Sequence, residues 1–267
     1  MAVAEQIRPK MPQASESELV ERVIESARGL GLLHGGREYK NRTRELFSTL
    51  DFRGKNVLEI GCGKGLMCLW AKIHGARNVV GLEPMTVGYY DSADTPNEFA
   101  SMAKDAGLDN VVMVNETVQD YRTDMKFDIV LSLASINHID EPSCIELRRS
   151  PAAYGSYVNT FRKLRDMMSD NGTMFIFDAS NRSLLSDLRM KNPFNPHIEW
   201  FKHQAPETWA KLLGECGFTG PKISWLAEPI LTHAGIGTVP RPLSYMLSSA
   251  FRLQMQCAPV ARTARAS

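Results

Sequence analysis

The sequence predicts an α/β fold, a doubly wound sheet with helices between its strands, and three observations carry that expectation. Short Val-, Ile- and Leu-rich runs recur at 57–60, 79–82, 111–114, 127–133 and 173–177, with the length and apolarity of buried strands. Segments of helical period fall between them, at 66–74, 94–107 and 154–168. The first strand also runs straight into a glycine turn, Gly61-Cys62-Gly63-Lys64-Gly65, that opens a helix. That arrangement brings backbone N–H groups and a helix N-terminus close to a ligand.

The elements come in order along the chain. Ser15 is placed to cap a helix carrying Leu19, Val20, Val23, Ile24 and Ala27 at helical spacing, closed by Gly29 and Gly31. A second helix is expected from Gly36 to Leu50, with Leu46, Phe47 and Leu50 on its apolar face. Val57–Ile60 is the first strand, Leu66–His74 the crossover helix that Gly75 ends, and Val79–Glu83 the second strand, which Pro84 stops. A helix over 94–107 turns Phe99, Met102 and Ala103 inward, and strands are expected at Val111–Val114 and Phe127–Leu133. The helix over 154–168 buries Tyr157, Phe161, Leu164 and Met168; Asp170-Asn171-Gly172 turns the chain into the fifth strand, Thr173–Phe177. Pro206 opens a helix ending at Gly214 or Gly217. Lys222–Leu226 reads as a strand, 242–249 as a short helix, Phe251–Cys257 as a strand, and Ala261–Ser267 as a small basic tail.

Composition bounds the function. The 267 residues are 43% hydrophobic and 23% charged with a net charge of +1, ordinary for one sizeable globular unit and without an electrostatic footprint for nucleic acid or anionic membrane. The five cysteines show no C-x-x-C pair and read as buried thiols of a reducing compartment. No signal peptide and no apolar run of the ~18 residues of a membrane span is visible, so a cytoplasmic protein is expected.

Spacing and charge point to the ligand. Glu83 ends the second strand about 20 residues past the glycines, where a carboxylate accepts bonds from ribose hydroxyls. A dinucleotide turn is spaced Gly-x-Gly-x-x-Gly; here it is Gly-x-Gly-x-Gly, with Glu59 two residues ahead. A carboxylate there repels a pyrophosphate but suits a cationic amino-acid end.

The run Glu59 to Gly65 resembles the first motif of class I S-adenosylmethionine (SAM) dependent methyltransferases, Glu/Asp-x-Gly-x-Gly-x-Gly, at every fixed position. The resemblance covers roughly residues 36 to 257. It implies a Rossmann-like sheet of seven strands, Phe251–Cys257 being an antiparallel edge strand inserted between five and six. It divides the chain into an N-terminal helical cap (1–50), a SAM-binding methyltransferase domain (51–260) with a lid insertion at about 181–206, and a tail (261–267). SAM is the implied cofactor and S-adenosylhomocysteine the product. The implied cofactor set is Glu59, Gly61, Cys62, Gly63, Gly65, Glu83 and Pro84, with Thr117 and Val118 bracketing the adenine. Leu133 meets the methionine part, and Tyr39 and Arg42 face the cofactor from the cap, Arg42 being suited to a carboxylate. Many members have Asp where Thr117 stands.

The acceptor side gathers at the carboxyl edge of the sheet, where ligands of open α/β folds sit. His138, in Ser135-Ile136-Asn137-His138, is the candidate general base. Asn137, Asp178, His197, Trp200 and His203 are candidate substrate residues, the last three in the lid; Asp178 alternatively caps the segment after the fifth strand. His197 and His203 lack a neighbouring cysteine or carboxylate cluster, so no metal site is expected. The expected activity is methyl transfer to a hydroxyl of a small polar metabolite or sugar. N-methylation of a small molecule and non-catalytic SAM binding are the alternatives, a dehydrogenase is more distant, and homo-oligomerisation stays open. The absence of Asn-Pro-Pro-Tyr/Phe after strand four argues against planar-nitrogen acceptors.

Overall fold

A computed structural model describes residues 14–85, 94–191, 198–227, 236–247 and 249–259. Helices α1 (Glu16–Gly29) and α2 (Gly36–Leu46) precede β1 (Asn56–Ile60), α3 (Leu66–Ile73), β2 (Asn78–Leu82), α4 (Thr95–Asp105), β3 (Val111–Val114) and β4 (Phe127–Leu133). Then come α5 (Glu141–Glu146), α6 (Pro151–Met167), β5 (Met168–Ala179), α7 (Leu184–Asp187), a 3-10 turn (Trp200–Lys202), α8 (Pro206–Glu215), β6 (Phe218–Leu226), β7 (Thr238–Val239), α9 (Arg241–Leu247) and β8 (Ala250–Cys257). The strands join in one sheet, ordered β3-β2-β1-β4-β5-β8-β6-β7. The first five run parallel, while β8 is antiparallel to both β5 and β6. The order reverses between β1 and β4, which opens a crevice at their carboxyl ends.

Alternation along the strands sorts the core into two layers. Leu58, Ile60, Val130, Met174 and Ile176 meet Tyr157, Phe161, Trp209 and Leu213 of α6 and α8 on one face. Val57, Val79, Ile129, Leu131 and Phe175 meet Val23, Ile24, Trp70, Phe99 and Met102 on the other. The helices preceding the first strand therefore share a core with the sheet. The start of α1 is fixed by a capping box: Ser15 Oγ accepts the Glu18 N–H while Glu18 accepts the Ser15 N–H. Ser15→Ala should cost about 1 kcal/mol. Thermal melting should read that as a fall of about 2–4 °C.

Several elements depart from expectation. The sheet has eight strands, not seven, because β7 is two residues long and too short to leave an alternating pattern. The C-terminal strand β8 is interior, not an edge, and its side chains are largely buried. Helix α2 stops at Leu46 instead of Leu50: the buried Arg252 guanidinium on β8 donates to the carbonyls of Glu45 and Leu46 at 3.2 and 3.1 Å. Burial of that guanidinium is compensated by the helix-end carbonyls, which carry partial negative charge. Helix α5 is additional; Asp140 caps it by accepting the Ser143 N–H, with Pro142 in its first turn. Strand β5 begins at Met168 and carries the expected turn as an irregularity, with Asn171 at φ 62° and a register shift opposite Phe127 and Ile129.

Candidate cofactor and acceptor site

The chain leaves β1 through Gly61, Gly63 and Gly65, at φ of 65°, 54° and 73°, a region that disfavours side chains. A Cβ at Gly61 would also lie 2.6 Å from that of Ser135, and one at Gly65 2.3 Å from the Phe99 ring. The turn is fastened to β2: the Gly63 N–H donates to Glu83 Oε2 at 2.6 Å and the Cys62 N–H to the Leu82 carbonyl at 3.0 Å. Cys62 and Cys68 lie over Gly81, where a Cβ would come within 2.6 and 2.8 Å of their sulfurs. Cys62 is thus a packed thiol between the turn and β2, and Pro84 follows β2 at the crevice rim.

Two carboxylates flank this turn. Glu59, 2% exposed on β1, accepts the Cys68 thiol at 2.9 Å. Burial pushes its pKa up from 4.5 to about 8, with the charge of Glu83 adding to the rise. Glu83 is 9% exposed; burial raises its pKa too, against the Gly63 hydrogen bond, which lowers it. No cation acts on either carboxylate among the described residues. Glu83, and Glu59 once it gives up its proton, would repel a pyrophosphate and attract a cation rich in hydrogen-bond donors. SAM has that pattern in its sulfonium, ammonium and ribose diol, so the residues present fit it.

The other expected cofactor residues are distributed unevenly. Tyr39 is buried, donates its hydroxyl to the Leu66 carbonyl at 2.9 Å and packs edge-on against Trp70, supporting the start of α3. Arg42 lies on the exposed side of α2, off the buried stripe of Tyr39, Thr43 and Leu46. The Thr117 hydroxyl is engaged within its own loop, donating to Asp120 Oδ2 at 2.6 Å. Val118 is drawn into the core with Val80 and Leu82 by its apolar side chain. Leu133 ends β4, half-buried.

Beyond Leu133 the chain passes through Ala134, at φ 54°, to Ser135. The Ser135 hydroxyl donates to the Ile60 carbonyl at 2.6 Å and ties the exits of β1 and β4 together. Tyr157 supports the next turn, donating to the Ile136 carbonyl at 2.9 Å. Asn137 is buried beneath His138. His138 donates from Nδ1 to Glu141 at 2.9 Å, its side chain 51% exposed; Glu141 also pairs with Lys202.

Asp178, at the end of β5, does not cap the next helix; Ser183 does that by accepting the Ser186 N–H. Asp178 Oδ1 instead accepts the Ala179 N–H at 2.7 Å and pairs with His203 Nδ1 at 3.2 Å. The insertion thus carries its histidine back onto the sheet, because a carboxylate buried to 2% needs a partner. Trp200 donates from Nε1 to the Met190 carbonyl at 3.4 Å, and His197 lies outside the described residues. Gln204, which sequence reasoning passed over, is buried and donates from Nε2 to the Cys144 carbonyl at 2.8 Å. Three buried oxygens on these segments, Asn137 Oδ1, Asp178 Oδ2 and Gln204 Oε1, have no donor. Buried acceptors without donors are costly, which marks these segments as strained in their polar pairing. Ser135, Tyr157 and Gln204 gave no signal of their own, since each works through backbone atoms that only the folded chain brings near.

The comparisons with known proteins agree with this geometry. A family model described as a methyltransferase domain matches residues 32–221. The chain is 32% identical over 82 residues to protein arginine N-methyltransferase PRMT10 of Arabidopsis thaliana, a match covering 30% of this chain and 19% of that protein. It is 30% identical over 99 residues to the mitochondrial ubiquinone biosynthesis O-methyltransferase of Dictyostelium discoideum, covering 35% of this chain and 30% of that one. The chain therefore spans less than a third of the length of these two relatives. In three dimensions it resembles a SAM-dependent methyltransferase of Mesorhizobium loti at a TM-score of 0.51 and 16% identity, over 79% of this chain and 95% of the other, a likeness of fold. Among the described residues no helix is long and apolar enough to cross a membrane.

Proposed function

The chain belongs to the methyltransferase-domain family, and on that premise we propose that it uses S-adenosylmethionine and that its acceptor is the hydroxyl group of a small polar metabolite or sugar. When bound, the cofactor supplies a methyl group on a positively charged sulfur, which makes that carbon the electrophile. Glu83, held by the Gly63 N–H, would accept from the ribose hydroxyls, the Gly61–Gly65 turn with Cys62 and Pro84 would shape the cofactor's walls, and Glu59 would draw the ammonium. Thr117 would border the adenine, the Leu133 backbone would meet the methionine part, and Arg42, exposed on α2, would offer a cation to its carboxylate.

The observation that carries the acceptor reading is the Asp178–His203 pair at the carboxyl end of β5. Asp178 holds the proton on Nδ1 and leaves Nε2 to accept one from a hydroxyl as its oxygen attacks. Asn137 and Asp178 stand at the same carboxyl edge of the sheet, and Trp200 flanks the insertion. Positioning and exclusion of water supply most of the acceleration. His138, held by Glu141, is a second imidazole on the rim, and comparing two variants assigns the base.

With a hydroxylated acceptor found by screening, His203→Gln should lower kcat by about a hundredfold, as loss of a general base does. His138→Gln should change kcat by less than about threefold, a rim contact being worth a fraction of 1 kcal/mol. The reverse order would move the base to His138. Unaltered turnover in both would remove the base, and with it the argument for an alcohol acceptor.

A further inference from the structure

Beside the acceptor site, two cavities of about 280 and 460 Å³ meet at Arg148. Between them they are lined by four guanidinium groups, those of Arg148, Arg149, Arg182 and Arg241, and by one carboxylate, Glu207. Glu207 is already paired with Arg241 at 3.4 Å. Arg148, Arg149 and Arg182 are exposed, and among the described residues none of their side chains has a carboxylate partner. A chain with a net charge of only +1 thus places a surplus of three positive charges in one groove.

The groove is assembled from separate parts of the fold. Arg148 and Arg149 follow α5, Arg182 follows β5, and Arg241 opens α9. The larger cavity is also lined by Gln204, 4% exposed, whose Oε1 has no donor. Gln204 follows His203 in the chain, so the groove is built partly from the segment that carries the Asp178–His203 pair.

We propose that this groove is an anion subsite that holds the phosphate or diphosphate group of a small phosphorylated acceptor. Guanidinium groups suit this anion because their forked donors match phosphate oxygens two at a time. Several of them around one pocket favour a multiply charged group over a single carboxylate. The combined space exceeds a bare phosphate and leaves room for the acceptor's body. The cofactor side selects for the opposite sign, with Glu59 and Glu83 uncompensated; the cleft is divided between a cationic cofactor and an anionic acceptor. The assignment rests on the hydroxyl-acceptor reading above and gives it a substrate class.

The test is calorimetry of the full chain, saturated with S-adenosylhomocysteine, titrated with inorganic pyrophosphate. One saturable site is expected. Arg148→Ala and Arg182→Ala should each weaken it by about tenfold, roughly 1.4 kcal/mol. Lys55→Ala, an exposed charge far from the groove in sequence and fold, should leave it unchanged, and S-adenosylhomocysteine affinity should be the same in all four proteins. Absence of pyrophosphate binding, or equal binding by the arginine variants, overturns the subsite. A weakening by Lys55→Ala as large as theirs also overturns it, because that is a diffuse charge effect. A single-stranded oligonucleotide that displaces pyrophosphate with a salt slope of several charges overturns the small-molecule assignment in favour of nucleic acid. Failure of S-adenosylhomocysteine itself to bind would defeat the cofactor reading, a result separate from the pyrophosphate titration.

Discussion

Glu83→Ala protein should bind S-adenosylhomocysteine about a hundredfold more weakly than the wild type. Hydrogen bonds to a charged group contribute roughly 1.5–3 kcal/mol each net of water, so two of them to the ribose diol amount to about 3 kcal/mol or more, two decades or more in affinity. The variant also releases the Gly63 N–H, now held at 2.6 Å, so the glycine turn loses its fastening to β2 as well as its contact with ligand. Glu83→Gln separates these two effects. Its amide oxygen can still accept from Gly63, while its NH2 group faces hydroxyls that must then reorient, and a loss of about tenfold is expected, a single hydrogen bond's worth. Calorimetry reads both. An alanine variant within twofold of wild type would show that Glu83 does no more than hold the turn.

Glu59 should make the stability of the free protein fall as pH rises. Its pKa lies at about 8 in the folded chain and near its ordinary 4.5 when exposed on unfolding. Between those values the native state keeps a proton that the unfolded state has lost, so stability is fully present below pH 4.5 and is lost as pH climbs through 8. At roughly 1.4 kcal/mol per unit the displacement bounds the effect at about 5 kcal/mol. Glu59→Gln, which keeps an oxygen for the Cys68 thiol, should flatten that slope and melt higher than wild type at pH 8. The same titration couples to the cofactor: an ammonium beside Glu59 favours the carboxylate, so cofactor binding should release protons at pH 7. Calorimetry in buffers of different ionisation enthalpy measures that release. Parallel stability curves for wild type and Glu59→Gln would show that Glu59 is already ionised in the empty crevice.

Local and periodic features were the ones legible in the sequence. The Glu59-to-Gly65 motif, the apolar strand runs and the caps at Ser15 and Pro206 each depend on residues a few positions apart, and each lies where expected. Elements set by distant partners escaped. The end of α2 depends on Arg252, more than two hundred residues away, and β7 has too few residues for a pattern; β8 does lie antiparallel between β5 and β6 as expected, and what escaped is that this place makes it interior and not an edge. In the site, Glu59 and Glu83 were legible because their positions are set by the strand–turn–helix rhythm. The pairing of Asp178 with His203 was not, since a chain excursion of 25 residues separates them. Val118 looked like a ring contact by position but is held by the core, where an apolar side chain loses its water.

The contact between Arg252 and the last turn of α2 also bears on how the protein is made. The two partners lie 206 residues apart, and β8 fills the slot between β5 and β6. At about 5–20 residues per second, a ribosome takes roughly 10–40 s to go from one to the other. Throughout that interval the helix end lacks its donor, and from the completion of β6 at Leu226 until β8 is made the chain also has two strand edges without a partner. Such edges invite pairing with other chains. Arrival of β8 both closes the sheet and completes the helix beside the cofactor crevice, so a chain still lacking that strand has neither.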